Sequence, residues 1–131
     1  MTVLAPAVPA QVAPSRQVAV SVAGVTVVVP CPIWCTDPHA GNYVDLVDLS
    51  HNGDAIFLAA PSYRGAVERT LIARVSSRPF SGTPETERPF LVFDPIDDEC
   101  AQLDSTAALA LADQVIAHGH ALRAMAASIA G

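Results

Sequence analysis

At 131 residues, 51% of them hydrophobic and few aromatic, the chain is long enough for one globular domain with a core of alanine and β-branched side chains. Its formal charge of −6 comes from thirteen carboxylates against seven arginines, with no lysine, and such a negative field disfavours nucleic acid as a partner. Apolar runs such as "VTVVVP" are too short to span a bilayer, so no membrane partner is expected.

Residues 1–15, "MTVLAPAVPAQVAPS", hold three prolines and no charge. They lack the basic start and unbroken apolar run of a signal peptide, and proline without periodicity predicts an extended or disordered arm. A cytoplasmic, reduced setting follows as the expectation, and three cysteines, an odd number, argue against a disulfide framework. The rest of the chain, 16–131, is read as a single α+β domain.

From Gln17 to Val29, "QVAVSVAGVTVVV" is β-branched and broken once at Ala23-Gly24, which reads as one long strand or, the preferred reading, a hairpin turning on that glycine. The next segment, "CPIWCTDPHAGNYVDLVDLSH" (31–51), collects two cysteines, two histidines and the single tryptophan. Pro32, Pro38 and Gly41 argue against a helix here, so a tight knuckle is expected, with His51 at the start of the next strand.

Three further strands are predicted from "DAIFLAAP" (54–61), "AVERTLIARVSS" (66–77) and "RPFLVFDP" (88–95), each rich in β formers and bounded by Gly, Pro or Asp. The second alternates, with Val67, Leu71, Ala73 and Val75 on one face. Glu68, Thr70, Arg74, Ser76 and Arg78 fall on the other, while Arg69 and Ile72 break the rule. The intervening "RPFSGTPETERP" carries three prolines and a glycine and reads as an exposed connection. Residues 64–88 hold five arginines against three glutamates, net +2, and the remainder is net −8.

The last third changes period. From an N-cap at Asp104 or Ser105 to about Ala127, Leu111, Val115, Leu122, Met125 and Ile129 recur at three- and four-residue spacing, the mark of one long amphipathic helix. Gly119 lies inside it, costing about 1 kcal/mol against Ala, and signals a kink or a close contact with the sheet. His118 shares the apolar stripe and is read as a hydrogen-bonded core histidine rather than a ligand; His120 is expected in solvent. The expected fold is α+β: an antiparallel sheet of four to five strands, a Cys/His zinc knuckle, and the helix packed on one face.

Cys31, Cys35, His39 and His51 form C-x3-C-x3-H-x11-H. Two soft thiolates and two imidazoles suit tetrahedral Zn²⁺, although the histidines stand farther apart than in the common finger. Buried structural thiols and a dithiol redox pair are the competing readings. The redox pair lacks both the C-x-x-C spacing and a surrounding βαβ pattern. Trp34 fits as the hydrophobic cover of the knuckle. A catalytic zinc would need an open position and a carboxylate base, for which Asp37, Asp45, Asp48 and Asp54 are near in sequence; four ligands favour a closed structural site.

These residues also carry a resemblance. The succession of a strand, "CPIWC", a His, a second His opening a strand, "RPFLVF", and the helix "LDSTAALALADQVIAHGHAL" resembles a small actinobacterial domain family of unknown function found in chromosomal, plasmid and phage genes. It spans Val25 to Met125 and is most specific at Cys31, Pro32, Trp34 and Cys35. It implies a shared fold and Cys/His set and supplies no activity. The family often opens the helix with a Thr-Pro-x-Glu-Ala type sequence, where this chain has Asp104, Ser105, Thr106 and Ala107.

Two classes of function remain. The first is a non-enzymatic, zinc-stabilised binding or regulatory module whose partner is a protein met by Arg74 and Arg78, with self-association through a sheet edge or the N-terminal arm. The ordinary alternative for those arginines is solvated pairing with Glu68, Glu85 or Glu87. The second class is a small metal-dependent hydrolase using the Cys/His site. The chain has no Gly-rich phosphate loop, G-x-S-x-G or H-E-x-x-H, so no catalytic residue is assigned and the binding module is preferred.

Overall fold

The computed structural model describes residues 15–62, 65–95 and 100–130. The N-terminal arm therefore lies outside the described residues except for Ser15, which opens the first strand. Strands β1 (Ser15–Val22) and β2 (Val25–Pro32) pair antiparallel from Val22↔Val25 outward. The hairpin turns on Ala23 and Gly24 as expected, with φ of 49° and 79°, the left-handed pair a two-residue turn requires. Ala23 is held there by its N–H, which donates to the Tyr43 carbonyl at 2.7 Å. Tyr43 belongs to β3 (Asn42–Tyr43), which runs parallel beside β1 and completes a three-stranded sheet in the order β2-β1-β3.

Period-two alternation places Val20 and Val29 inside, where they meet Leu49. Val18, Val22, Val27, Tyr43, Leu46 and Phe80 pack around this core. Leu49 arrives by way of a 3-10 turn, Leu46–Asp48, whose N-cap Asp45 accepts from the Val47 N–H. Strand β4 (His51–Asn52) follows at once.

A second sheet has the order β4-β6-β7-β8, with β5 also paired to β6. Its members are β5 (Ile56–Pro61), β6 (Val67–Ser77), β7 (Phe90–Asp94) and β8 (Ala101–Leu103). β6 does not keep the single alternation expected of it. Its register against β5 slips between Ile56↔Ala73 and Leu58↔Thr70, and Leu71 takes φ 52° with its N–H on the Pro95 carbonyl at 3.2 Å. The bulge reassigns the faces beyond it. Ser76, expected on the wet face, is buried, donating to the His51 carbonyl at 3.1 Å and to Asn52 Oδ1 at 2.8 Å, while Val75 is exposed.

The chain divides into two compact units, one comprising residues up to 55 with 74–89, the other 56–73 with 90 onward. In the first, the proline-rich connection carries a short helix, α1 (Pro84–Glu87), which the turn-rich composition concealed. In the second, α2 (Ser105–Ser128) begins at an Asp104 cap that accepts from the Ala107 N–H at 2.8 Å. α2 lies against β7 and β8, and its half-buried residues, Ala108 and Leu111, are both in its first two turns. His118 is exposed, which corrects its reading as a core histidine: the part of α2 that carries it has no buried residue for it to join. Gly119 has open space around it, so no close contact with the sheet explains it. Among the described residues no helix is long and apolar enough to cross a membrane.

Candidate metal centre

β2 ends in Pro30-Cys31-Pro32, and the chain then reverses in a turn closed by the Cys35 N–H on the Pro32 carbonyl at 3.0 Å. This brings Cys35 back beside Cys31. The Thr36 N–H donates to the Asn52 carbonyl at 2.9 Å and ties the knuckle to β4, the strand His51 opens. Asp37 Oδ1 accepts the His39 N–H at 2.9 Å, an Asx turn that holds His39 at φ 52°. A left-handed non-glycine residue costs about 1 kcal/mol or more, and here it buries the imidazole among the thiols.

The four residues expected to act together do converge. One ligand atom from each of Cys31, Cys35, His39 and His51 lies within 4.8 Å of all the others, and the residues are 0, 1, 6 and 1% exposed. His39 Nε2 stands 3.6 Å from both sulfurs. The imidazoles meet edge to face at 5.2 Å. His51 Nδ1 is buried with no hydrogen-bond partner, an arrangement that costs about 1–3 kcal/mol unless something else occupies the nitrogen. These residues could hold a metal ion.

The electrostatics point the same way. Burial pushes the Cys31 thiol up, and Cys35 adds to that, while Arg16 opposes both. Burial also lowers the pKa of His51, with His39 adding to the effect. The pocket thus disfavours a thiolate at Cys31 and an imidazolium at His51; a divalent cation would relieve the first and needs the neutral imidazole that the second provides. Arg16 Nη2 donates to the Cys35 carbonyl at 3.1 Å, so its charge is fixed at the rim.

The surroundings orient these side chains. Trp34, half-buried, sets its ring edge-on to His51 at 6.5 Å, as a cover would. Gly53 leaves room for that turn, since a Cβ there would lie 3.2 Å from the Trp34 carbonyl oxygen. The Tyr43 hydroxyl sits 3.0 Å from His39 Nδ1, a contact with no local signal in the sequence beyond the four-residue spacing. Burial, followed by Asp37, raises the Tyr43 pKa and keeps the phenol neutral.

Of the four aspartates near in sequence, Asp37 and Asp54 line an open cleft of about 280 Å³ with Thr36, Asn52, Gly53, Ala55 and Arg74. Asp37 is committed to the His39 N–H and to Asn52 Nδ2, and Asp54 to Thr36 Oγ1. Asp45 caps the 3-10 turn and Asp48 is exposed. Arg74 and Arg78 are both exposed, but only Arg74 lines the cleft. Cys100 is exposed and stands outside the Cys/His group, as do His118 and His120.

The model of the family described as "Domain of unknown function (DUF6907)" matches residues 11–131. The chain belongs to this family. The buried Cys/His group therefore lies wholly within the DUF6907 domain. No curated protein and no solved structure matches the chain.

Proposed function

We propose that the DUF6907 domain of this chain is a zinc-stabilised binding module, with one Zn²⁺ held by Cys31, Cys35, His39 and His51. The observation that carries this reading is the spacing of the buried donors. Zn–S bonds of about 2.3 Å and Zn–N bonds of about 2.0–2.1 Å at a tetrahedral angle put sulfur and nitrogen about 3.6 Å apart, and His39 Nε2 stands 3.6 Å from each sulfur. The same ion would occupy the unpartnered His51 Nδ1, and two thiolates would balance its charge.

Four protein ligands leave no position for a hydrolytic water, so the ion would act as a staple. A hydrolase would need one ligand to yield its place, and Asp37, the nearest carboxylate by hydrogen bonding, is already engaged. The partner in this reading is a protein reached through the exposed Arg74 and Arg78, in a cytoplasmic setting, with self-association through a sheet edge or the N-terminal arm. Replacing both arginines with alanine should weaken partner capture and leave the fold intact.

Protein purified without chelator should contain one zinc per chain by elemental analysis, and Cys31→Ser or Cys35→Ser should lose it together with thermal stability. Folded, metal-free protein with both thiols unreactive would remove the reading.

A further inference from the structure

We infer that Tyr43 is the positioning residue of the metal site, its phenol oxygen accepting a hydrogen bond from His39 Nδ1–H so that Nε2 is presented to the ion. The inference rests on the zinc reading above and deepens it. Its starting point is the way the His39 ring is divided: Nε2 faces Cys31 Sγ and Cys35 Sγ at 3.6 Å each, while Nδ1 faces the Tyr43 oxygen at 3.0 Å. A ring that gives Nε2 to a metal keeps its proton on Nδ1, and a fixed acceptor there sets both the tautomer and the ring angle. The two rings lie 6.4 Å apart and tilted by 50°, so the hydrogen bond, rather than stacking, joins them.

The backbone of Tyr43 is held by β1 and the hairpin turn, which carry no ligand. Its carbonyl accepts the Ala23 N–H at 2.7 Å, and β3 pairs with β1 at Val22↔Tyr43. The neighbouring Asn42 Oδ1 accepts from Ser21 Oγ at 2.8 Å and from the Gly24 N–H at 3.1 Å. The residue packs against the cluster of Val20, Val29 and Leu49. The hairpin turn thereby fixes the phenol, and the phenol fixes the imidazole. His39 needs such an outside restraint, because its backbone is left-handed and Asp37 holds its N–H but not its ring.

Tyr43→Phe keeps the ring in the core and deletes only the hydroxyl. In the full chain, competition with a chromophoric chelator should show zinc bound about 10- to 100-fold more weakly than in wild type, the usual loss when such a partner is removed. At saturating zinc the thermal midpoint should change little. The visible spectrum of the Co²⁺-loaded variant should shift, which a purely packing role would not produce. A second measurement requires no variant: in zinc-loaded wild type, long-range ¹H–¹⁵N correlation should show His39 as the Nδ1–H tautomer with a slowly exchanging imidazole proton. Metal-free wild type would overturn the zinc reading itself. Zinc-binding wild type with a Tyr43→Phe affinity within twofold, or with a fast-exchanging His39 imidazole proton, would overturn the role of Tyr43 alone.

Discussion

The two compact units handle apolar side chains differently. In the first, valines on β1 and β2 turn inward with Leu49, and the buried thiols and imidazoles sit beside that core. In the second, Ala73 and Phe90 are buried, but Leu109, Ile116, Leu122, Met125 and Ile129 remain exposed along and just beyond α2. Among the described residues this core has three fully buried apolar side chains, which is small, and domains of that kind generally rely on a metal or a disulfide. With Cys31, Cys35 and Cys100 all unpaired, the Cys/His group is the element of the first unit able to serve as that staple. Ordered burial and the Cys/His group that could hold a metal thus coincide in one unit, while the other presents a helix held mainly at its start.

The contrast can be broken most directly by truncation. Leu49→Ala removes a side chain that is 0% exposed and should cost about 2–5 kcal/mol in denaturant unfolding of the metal-loaded protein; a loss below about 1 kcal/mol would mean the first unit has no fixed core. Gly53→Ala places a Cβ 3.2 Å from the Trp34 carbonyl oxygen. The backbone must shift by a few tenths of an ångström, so a loss of about 1 kcal/mol is expected, and an unchanged midpoint would show that the Trp34 turn is loose.

Acidity sharpens the comparison. In metal-free protein the pKa of His51 is lowered from 6.5 by burial, so the unfolded chain binds the proton more readily; this contribution is present above about pH 6.5 and fades as pH falls below it. The Cys31 thiol is raised from 9.0, so its contribution is present below about pH 9 and fades as pH rises. Zinc should abolish the alkaline loss, because it binds thiolates, and retain the acid one. Thermal midpoints across pH with and without zinc check this, and the same alkaline loss in both forms would contradict it. The smallest effect is expected in the second unit: Leu122→Ala, at a side chain 59% exposed, should change stability by less than about 0.5 kcal/mol.

What the sequence displayed and what it concealed divide along local and non-local lines. The hairpin was legible because Ala23-Gly24 interrupts an otherwise continuous β-branched run, and the Cys/His group because two thiols and two imidazoles fall within 21 residues that prolines keep from helix. The start of α2 was legible from Asp104. The bulge at Leu71 was not, because it depends on β5 and on the Pro95 carbonyl. The burial of Ser76 depends on His51 and Asn52, and the loss of His118 from any core depends on where the sheet stops meeting α2. Tyr43 carries no metal-ligand signature in the sequence, because its place follows from β3 lying beside β1.

The claim that a metal staples the first unit is tested most directly by hydrogen exchange on zinc-loaded and chelated protein, with metal removal verified by native mass spectrometry. The account predicts that chelation sharply reduces protection of the amides of β1, β2 and β4, with a smaller change along α2. Unchanged protection of β1 and β2 in protein shown to have lost its zinc would contradict it.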